Sequence, residues 1–190
     1  MILTLPLLLT MMRVAAIPVV LALFYVDWPY ARQMATVLYT LAGITDWLDG
    51  WLARRWNQES KFGAFLDPVA DKLLVAVCLV MLLRDDPGGM LAVVVAVIIG
   101  REITISALRE WMAELGQRTS VAVSRIGKWK TGFQMTAIGM MIWRIPVLGI
   151  PIYEIGYVLL LVAAALTLWS MFVYLRAAWP IMADRRELSD

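Results

Sequence analysis

The stretch DWLDGWLARRWNQESKFGAFLDPVADK, residues 46 to 72, places four aspartates at the edges of two strongly apolar segments. Asp46 and Asp49 stand three residues apart, and Asp67 and Asp71 four apart, so on α-helices each pair projects from one face. The polar turn between the pairs is short enough to make the two helices antiparallel neighbours. Four carboxylates then converge on one small volume. Two unit charges ~4 Å apart repel by roughly 4 kcal/mol at a typical effective protein dielectric, so a bare cluster takes up protons or draws in cations. Oxygen ligands with no His and no Cys nearby select hard ions such as Mg²⁺ or Mn²⁺, and two divalent ions balance four carboxylates in charge. The same spacing also suits exposed helix-end aspartates paired with Arg54, Arg55, Lys61 and Lys72.

Working outward, the chain has 190 residues, of which 62% are hydrophobic, and a mean hydropathy of +0.75. That is too apolar for an ordinary water-soluble domain and predicts an integral membrane protein. The formal net charge is only +2, and no nucleic-acid partner is expected. There is no histidine, which removes the usual general base and zinc ligand. The single Cys78 lies in an apolar run, so disulfides and cysteine metal sites within one chain are excluded and a packing role is expected. Arg13 interrupts the first apolar stretch and no small-residue cleavage site follows it, so that stretch reads as a retained helix and not as a signal peptide.

Six apolar stretches approach the ~20 residues that a bilayer requires. They run from about Leu7 to Val26, Gln33 to Trp56, Phe62 to Leu83, Met90 to Glu114, Gly127 to Trp143 and Ile152 to Ala178. Asp85-Asp86-Pro87-Gly88-Gly89 breaks the third from the fourth, and Arg144 and Pro146 close the fifth. No repeat or linker marks a second domain, so residues 1–190 are read as one all-α domain of six transmembrane helices. Basic residues orient it. The connection after span two carries Arg54, Arg55 and Lys61, that after span four carries Arg118 and Arg125 flanked by Arg101, Arg109, Lys128 and Lys130, and the C-terminal tail carries Arg176, Arg185 and Arg186. The other connections hold one arginine each: Arg32, Arg84 and Arg144. Both termini and the aspartates are therefore expected to face the cytoplasm. Trp28, Tyr30, Trp143, Tyr153 and Trp179 fall near span ends, where amphipathic rings prefer the interface.

Span four begins purely aliphatic and turns polar from Arg101. Arg101 and Arg109 share roughly one face, as do Glu102 and Glu110. A helix that turns polar halfway is leaving the membrane or lining a water-filled cavity. With Lys128 and Lys130, Arg101 and Arg109 form a candidate cationic pocket for a phosphate dianion; the same residues also fit a patch that only sets topology or touches lipid headgroups. An acidic metal site beside a basic pocket at a membrane surface suggests chemistry on phosphorylated molecules, one of them a lipid. Gly50 and Ala53 leave room beside Asp49, Arg54 can bond a phosphate, and a carboxylate not saturated by metal can act as general base.

Written out, Asp46-x-x-Asp49-Gly50-x-x-Ala53-Arg54, eight residues, Gly63-x-x-x-Asp67-x-x-x-Asp71 resembles the complete signature of the CDP-alcohol phosphotransferases, with every fixed position filled. The segments Arg101-Glu102, Ala107 to Glu114, Ser120 to Ser124 and Gly127-Lys128-x-Lys130-Thr131 are similar in particular to the bacterial phosphatidylglycerophosphate synthase branch. The resemblance implies transfer of a phosphatidyl group from CDP-diacylglycerol to glycerol 3-phosphate with release of CMP, in a homodimer of the bacterial inner membrane. It implies Asp46, Asp49, Asp67 and Asp71 as ligands of two divalent cations, with Asp71 doubling as base. Gly50, Ala53, Arg54, Gly63 and Thr10 would surround the CDP moiety, and Arg101, Arg109, Lys128 and Lys130 the acceptor phosphate. Pro6, Leu9, Thr10 and Arg13 match a further Pro-Asn-x-Leu-Thr-x-x-Arg stretch common among relatives, while Leu7 stands where Asn is expected.

Other acceptors, namely serine, inositol phosphate or a second lipid, are the nearest alternatives, and the basic pocket speaks for a phosphorylated one. A divalent-cation or proton-coupled transporter would spread its carboxylates through the bilayer depth and repeat between halves. Here they cluster at one face.

Overall fold

The computed structural model describes residues 5–56, 61–114 and 125–183; within these, the side chains of 5–7, 47–54, 56, 61, 64, 125–130, 177–178 and 180–183 lie outside the description. The described residues form six helices: α1 (Leu5–Leu23), α2 (Ala31–Trp56), α3 (Lys61–Asp85), α4 (Gly89–Glu114), α5 (Arg125–Trp143) and α6 (Ile152–Ala183). They contain no strand, only an isolated bridge between Val147 and Ile150. The helices follow the six apolar stretches closely, because the breaks between them are local. Pro29 sits in the α1–α2 turn, and Pro87 follows the last turn of α3, where the Asp86 N–H still reaches the Leu82 carbonyl at 3.0 Å. Arg144 (φ 64°) takes the left-handed conformation that ends α5. Leu148 (φ 54°) and Gly149 (φ 80°) then reverse the chain in a two-residue turn closed by Val147 and Ile150.

Packing neighbours form a closed ring, α1–α2–α5–α6–α4–α3 and back to α1, with α3 also touching α2 and α5 across the middle. The helix that carries Asp67 and Asp71 is thus enclosed by most of the bundle. Val20, Ala35, Cys78, Leu79, Ile98, Ile138, Ile142 and Leu160 are fully buried in the core between the helices. Cys78 is a buried packing residue, as its apolar setting predicted. The α5–α6 contact is close: a Cβ on Gly156 would stand 2.9 Å from Met140 Cβ and 3.0 Å from the Ala137 carbonyl.

The outside of the bundle is apolar as well. Val93, Ile103, Trp169 and Phe172 are among many large hydrophobic side chains left exposed, more than a water-solvated monomer displays. Among the described residues, α4 and the Ile152–Arg176 part of α6 are long and apolar enough to cross a membrane, with mean hydropathies of 2.1 and 2.3. Only 28% and 33% of those windows are buried, which separates them from the core helices of a soluble protein. Several exposed hydroxyls bond within their own turns, as with Thr40 on Thr36 O (2.8 Å) and Thr104 on Gly100 O (2.8 Å).

Candidate functional site

The site is assembled where α1 meets α2 and α3. Thr10 and Arg13 lie three residues apart and so on one face of α1, and both are buried. The Arg13 guanidinium donates to Asp46 Oδ1 at 2.7 Å, and the Thr10 hydroxyl donates to Asp67 Oδ1 at 2.6 Å. The first helix therefore holds one carboxylate from each half of the aspartate stretch. In each case a single oxygen is taken among the described residues. Arg13 is 1% exposed at its side chain, whereas Asp46 is 42% exposed, so the pair has a buried cationic end and an accessible anionic one.

Asp71 lies one turn beyond Asp67 on α3, with Pro68 between them removing one N–H from the helical ladder. It stands within electrostatic reach of Asp46, Arg13, Glu102 and Lys72. Its carboxylate accepts no hydrogen bond among the described residues. It lines a small cavity of ≈ 70 Å³ together with Lys72 and Val75 of α3, Glu102 of α4, and Thr131, Gln134 and Met135 of α5. Five polar side chains from three helices thus surround a space large enough for a small polar group, inside an otherwise apolar bundle. Polar groups placed there are costly unless they serve a ligand.

The basic residues of α4 point elsewhere. Arg101 is buried, donating to Glu102 Oε1 at 2.7 Å and to Ser170 Oγ of α6 at 3.3 Å, with its Nε left without a partner among the described residues. Arg109 is exposed, reaches the Tyr174 hydroxyl at 3.4 Å and lies 5.6 Å over that ring. Both arginines face α6, in keeping with a shared helix face. Glu102 connects Arg101 to the acidic centre: it is ion-paired to Arg101 on one side and lines the Asp71 cavity on the other. Lys72 contacts the Ser106 hydroxyl, which donates in turn to the Glu102 carbonyl at 2.5 Å.

Of the residues singled out in the sequence, the structure brings Asp46, Asp67, Asp71 and Thr10 together, and buries Gly63 in α3 nearby. Asp49, Gly50, Ala53 and Arg54 of α2 and Lys128 and Lys130 of α5 have side chains outside the described residues. Sequence reading assigned no role in the site to Arg13, Lys72, Glu102 or Gln134. Arg13 carried a signal, a lone charge in an apolar run; Lys72 was named only as a surface partner of the aspartates, and Gln134 carried no signal beyond its position. The donor set is oxygen only, which fits a hard divalent cation. Among the described residues no three acidic side chains stand close enough to hold an ion by themselves, and the fourth aspartate is the one whose side chain is not described.

Fold and site define an all-α protein with an acidic centre held inside a bundle that is apolar both within and without. Residues 3–169 match the family model described as CDP-alcohol phosphatidyltransferase. The chain belongs to that family of transferases. It is 51% identical over 180 residues to a CDP-diacylglycerol–glycerol-3-phosphate 3-phosphatidyltransferase of Salmonella choleraesuis (strain SC-B67), covering 95% of this chain and 97% of the relative. Proteins of the same description from Shigella flexneri and Escherichia coli (strain K12) are each 50% identical over the same shares.

Proposed function

We propose that this chain transfers the phosphatidyl group of CDP-diacylglycerol to the free hydroxyl of sn-glycerol 3-phosphate, forming phosphatidylglycerol phosphate and CMP. The observation that carries this reading is the 50–51% identity, over 95% of the chain, to relatives each described by that reaction. The acidic centre supplies the residues it needs. Asp46, Asp49, Asp67 and Asp71 would hold two divalent cations, Mg²⁺ or Mn²⁺, whose charge offsets that of the diphosphate. Arg13 holds one oxygen of Asp46 and Thr10 holds one oxygen of Asp67. Asp71 takes the proton of the acceptor hydroxyl; that oxygen bonds to the phosphorus bearing diacylglycerol, and the bond from this phosphorus to CMP breaks.

Gly50, Ala53, Arg54, Gly63 and Thr10 are assigned to the CDP moiety, with Thr10 acting through Asp67. Arg101, Arg109, Lys128 and Lys130 are assigned to the acceptor phosphate, and the exposed Arg109 is the better placed of the two arginines. All six helices are read as spans of the bacterial inner membrane with both termini and the site on the cytoplasmic side, and the working unit as a homodimer. An acceptor screen in detergent tests the reaction: CMP release from CDP-diacylglycerol is measured with glycerol 3-phosphate, serine and inositol phosphate, each with chelator and with Mg²⁺ or Mn²⁺ restored. Release with glycerol 3-phosphate alone, lost to the chelator and regained with the ion, is expected. Turnover with serine instead removes the acceptor assignment, and turnover in chelator removes the metal site.

A further inference from the structure

A second and larger cavity, ≈ 410 Å³, runs between α3 and α4 and shares Lys72, Val75 and Glu102 with the Asp71 cavity. Its volume lies within the roughly 300–1,000 Å³ of small-molecule pockets. Its character changes along its length. At one end stand Lys72, Glu102 and Ser106; one turn further along α3, about 6 Å at 1.5 Å per residue, the walls are Ala76 with Ile98 and Ile99 of α4. Leu73 and Ile103 form the outer rim and are 47% and 66% exposed, so the groove opens sideways to the apolar exterior.

Two properties identify what such a groove takes. Lipid tails are as apolar as these walls, so burial alone contributes little here, and the groove selects by shape and by what lies at its polar end. That end carries a cation: the Lys72 ammonium contacts the Ser106 hydroxyl and closes no ion pair among the described residues. This ammonium lies beside the Asp71 and Glu102 carboxylates without closing an ion pair on either, and a charge-assisted bond to an anionic group remains open to it. An apolar channel that is open to lipid and ends in a cation next to the reacting carboxylate has the polarity profile of a phospholipid.

We propose that the α3–α4 groove holds an acyl chain of the lipid donor, with Lys72 set against the phosphate-bearing root of the same molecule. This rests on the activity proposed above, and it adds the route by which the donor enters, laterally between α3 and α4. Lys72 is a binding residue for the donor in addition to the signature residues.

The test uses the unaltered protein in nanodiscs with CDP-diacylglycerol carrying a diazirine midway along one acyl chain. Label is expected within residues 69–76 and 98–106, displaced by unlabelled CDP-diacylglycerol and not by the same excess of phosphatidylethanolamine. Label elsewhere, or label displaced equally by both lipids, overturns the proposal. In a companion measurement Ala76→Phe should raise KM for a dioleoyl donor by about tenfold, the lower range of what overfilling a packed site costs, with the dihexanoyl donor little changed. Lys72→Gln should raise KM for both donors alike, by roughly ten- to hundredfold, as for a lost bond to a charged group. A chain-length profile unmoved by Ala76→Phe overturns the groove while normal CMP release keeps the proposed reaction standing. Absence of CMP release in the unaltered protein removes the reaction itself.

Discussion

The two ends of α3 both gather charge, and they treat it in opposite ways. At its C-terminal end Asp85, 11% exposed at its side chain, is met by Arg32 of α2, by Arg84 (2.9 Å) and by Arg144 (3.5 Å). Each of those guanidiniums also lies over a ring: Arg32 over Phe24 at 4.0 Å, Arg84 over Tyr25 at 4.3 Å and Arg144 over Tyr153 at 5.8 Å. Asp86 accepts the Tyr153 hydroxyl at 2.7 Å, and Arg84 donates to the Phe24 carbonyl at 2.9 Å. At the other end Asp46 and Asp67 receive one bond each from α1, and Asp71 accepts none among the described residues. Charges that satisfy one another tie helices together. Charges left open are available to something that is not part of the chain.

Three substitutions sharpen or break that contrast, in descending order of effect. Asp71→Asn keeps the shape and removes the proton acceptor; CMP release should fall by about 10²–10⁴, the usual span for a general base, while CDP-diacylglycerol binding measured directly is kept. Full activity in this variant would take Asp71 out of the base role. Arg109→Ala should raise KM for glycerol 3-phosphate by about tenfold or more, as expected for a lost bond to a charged group, and leave KM for the lipid donor nearly unchanged. A shift confined to the lipid donor would move Arg109 to the nucleotide side. Asp85→Asn should leave kcat unaltered and cost about 1–3 kcal/mol of stability, read as a shorter half-life on heating in detergent. A loss of activity at Asp85 comparable to that at Asp71 would end the distinction between the two ends.

Most of the fold was legible because its signals are local. The apolar stretch expected from Met90 matches α4, which starts at Gly89, and the turn after Trp143 falls where Arg144 and Pro146 predicted it. The α1 estimate, Leu7 to Val26, ran past the observed end at Leu23, since Tyr25 and Val26 are apolar yet belong to the turn. Which helices touch was less legible. Arg13 reaches across 33 residues to Asp46 and Thr10 across 57 to Asp67, and no periodicity encodes a partner on another helix. The match of Thr10 and Arg13 to a stretch common among relatives marked both positions, but only packing shows that they act on the aspartates. The shared face of Arg101 and Arg109 could be read from an eight-residue spacing; that this face meets α6 could not. Likewise Arg32, Arg84 and Arg144, counted in the sequence as one arginine per connection, converge on a single carboxylate only because the ring order of the helices brings three connections together.

The Arg13–Asp46 pair has a consequence for how such a chain is made. An arginine well inside an apolar helix costs about 2.5–3.5 kcal/mol to place at the centre of a bilayer, and α1 is made just before α2. Its counter-charge sits on α2, the next helix in the chain and one of its direct neighbours. In the six-span reading proposed above, α1 and α2 are therefore better partitioned into the membrane as a hairpin than one at a time. The bond that steadies a carboxylate in the folded bundle would then also make the α1–α2 hairpin a unit of assembly.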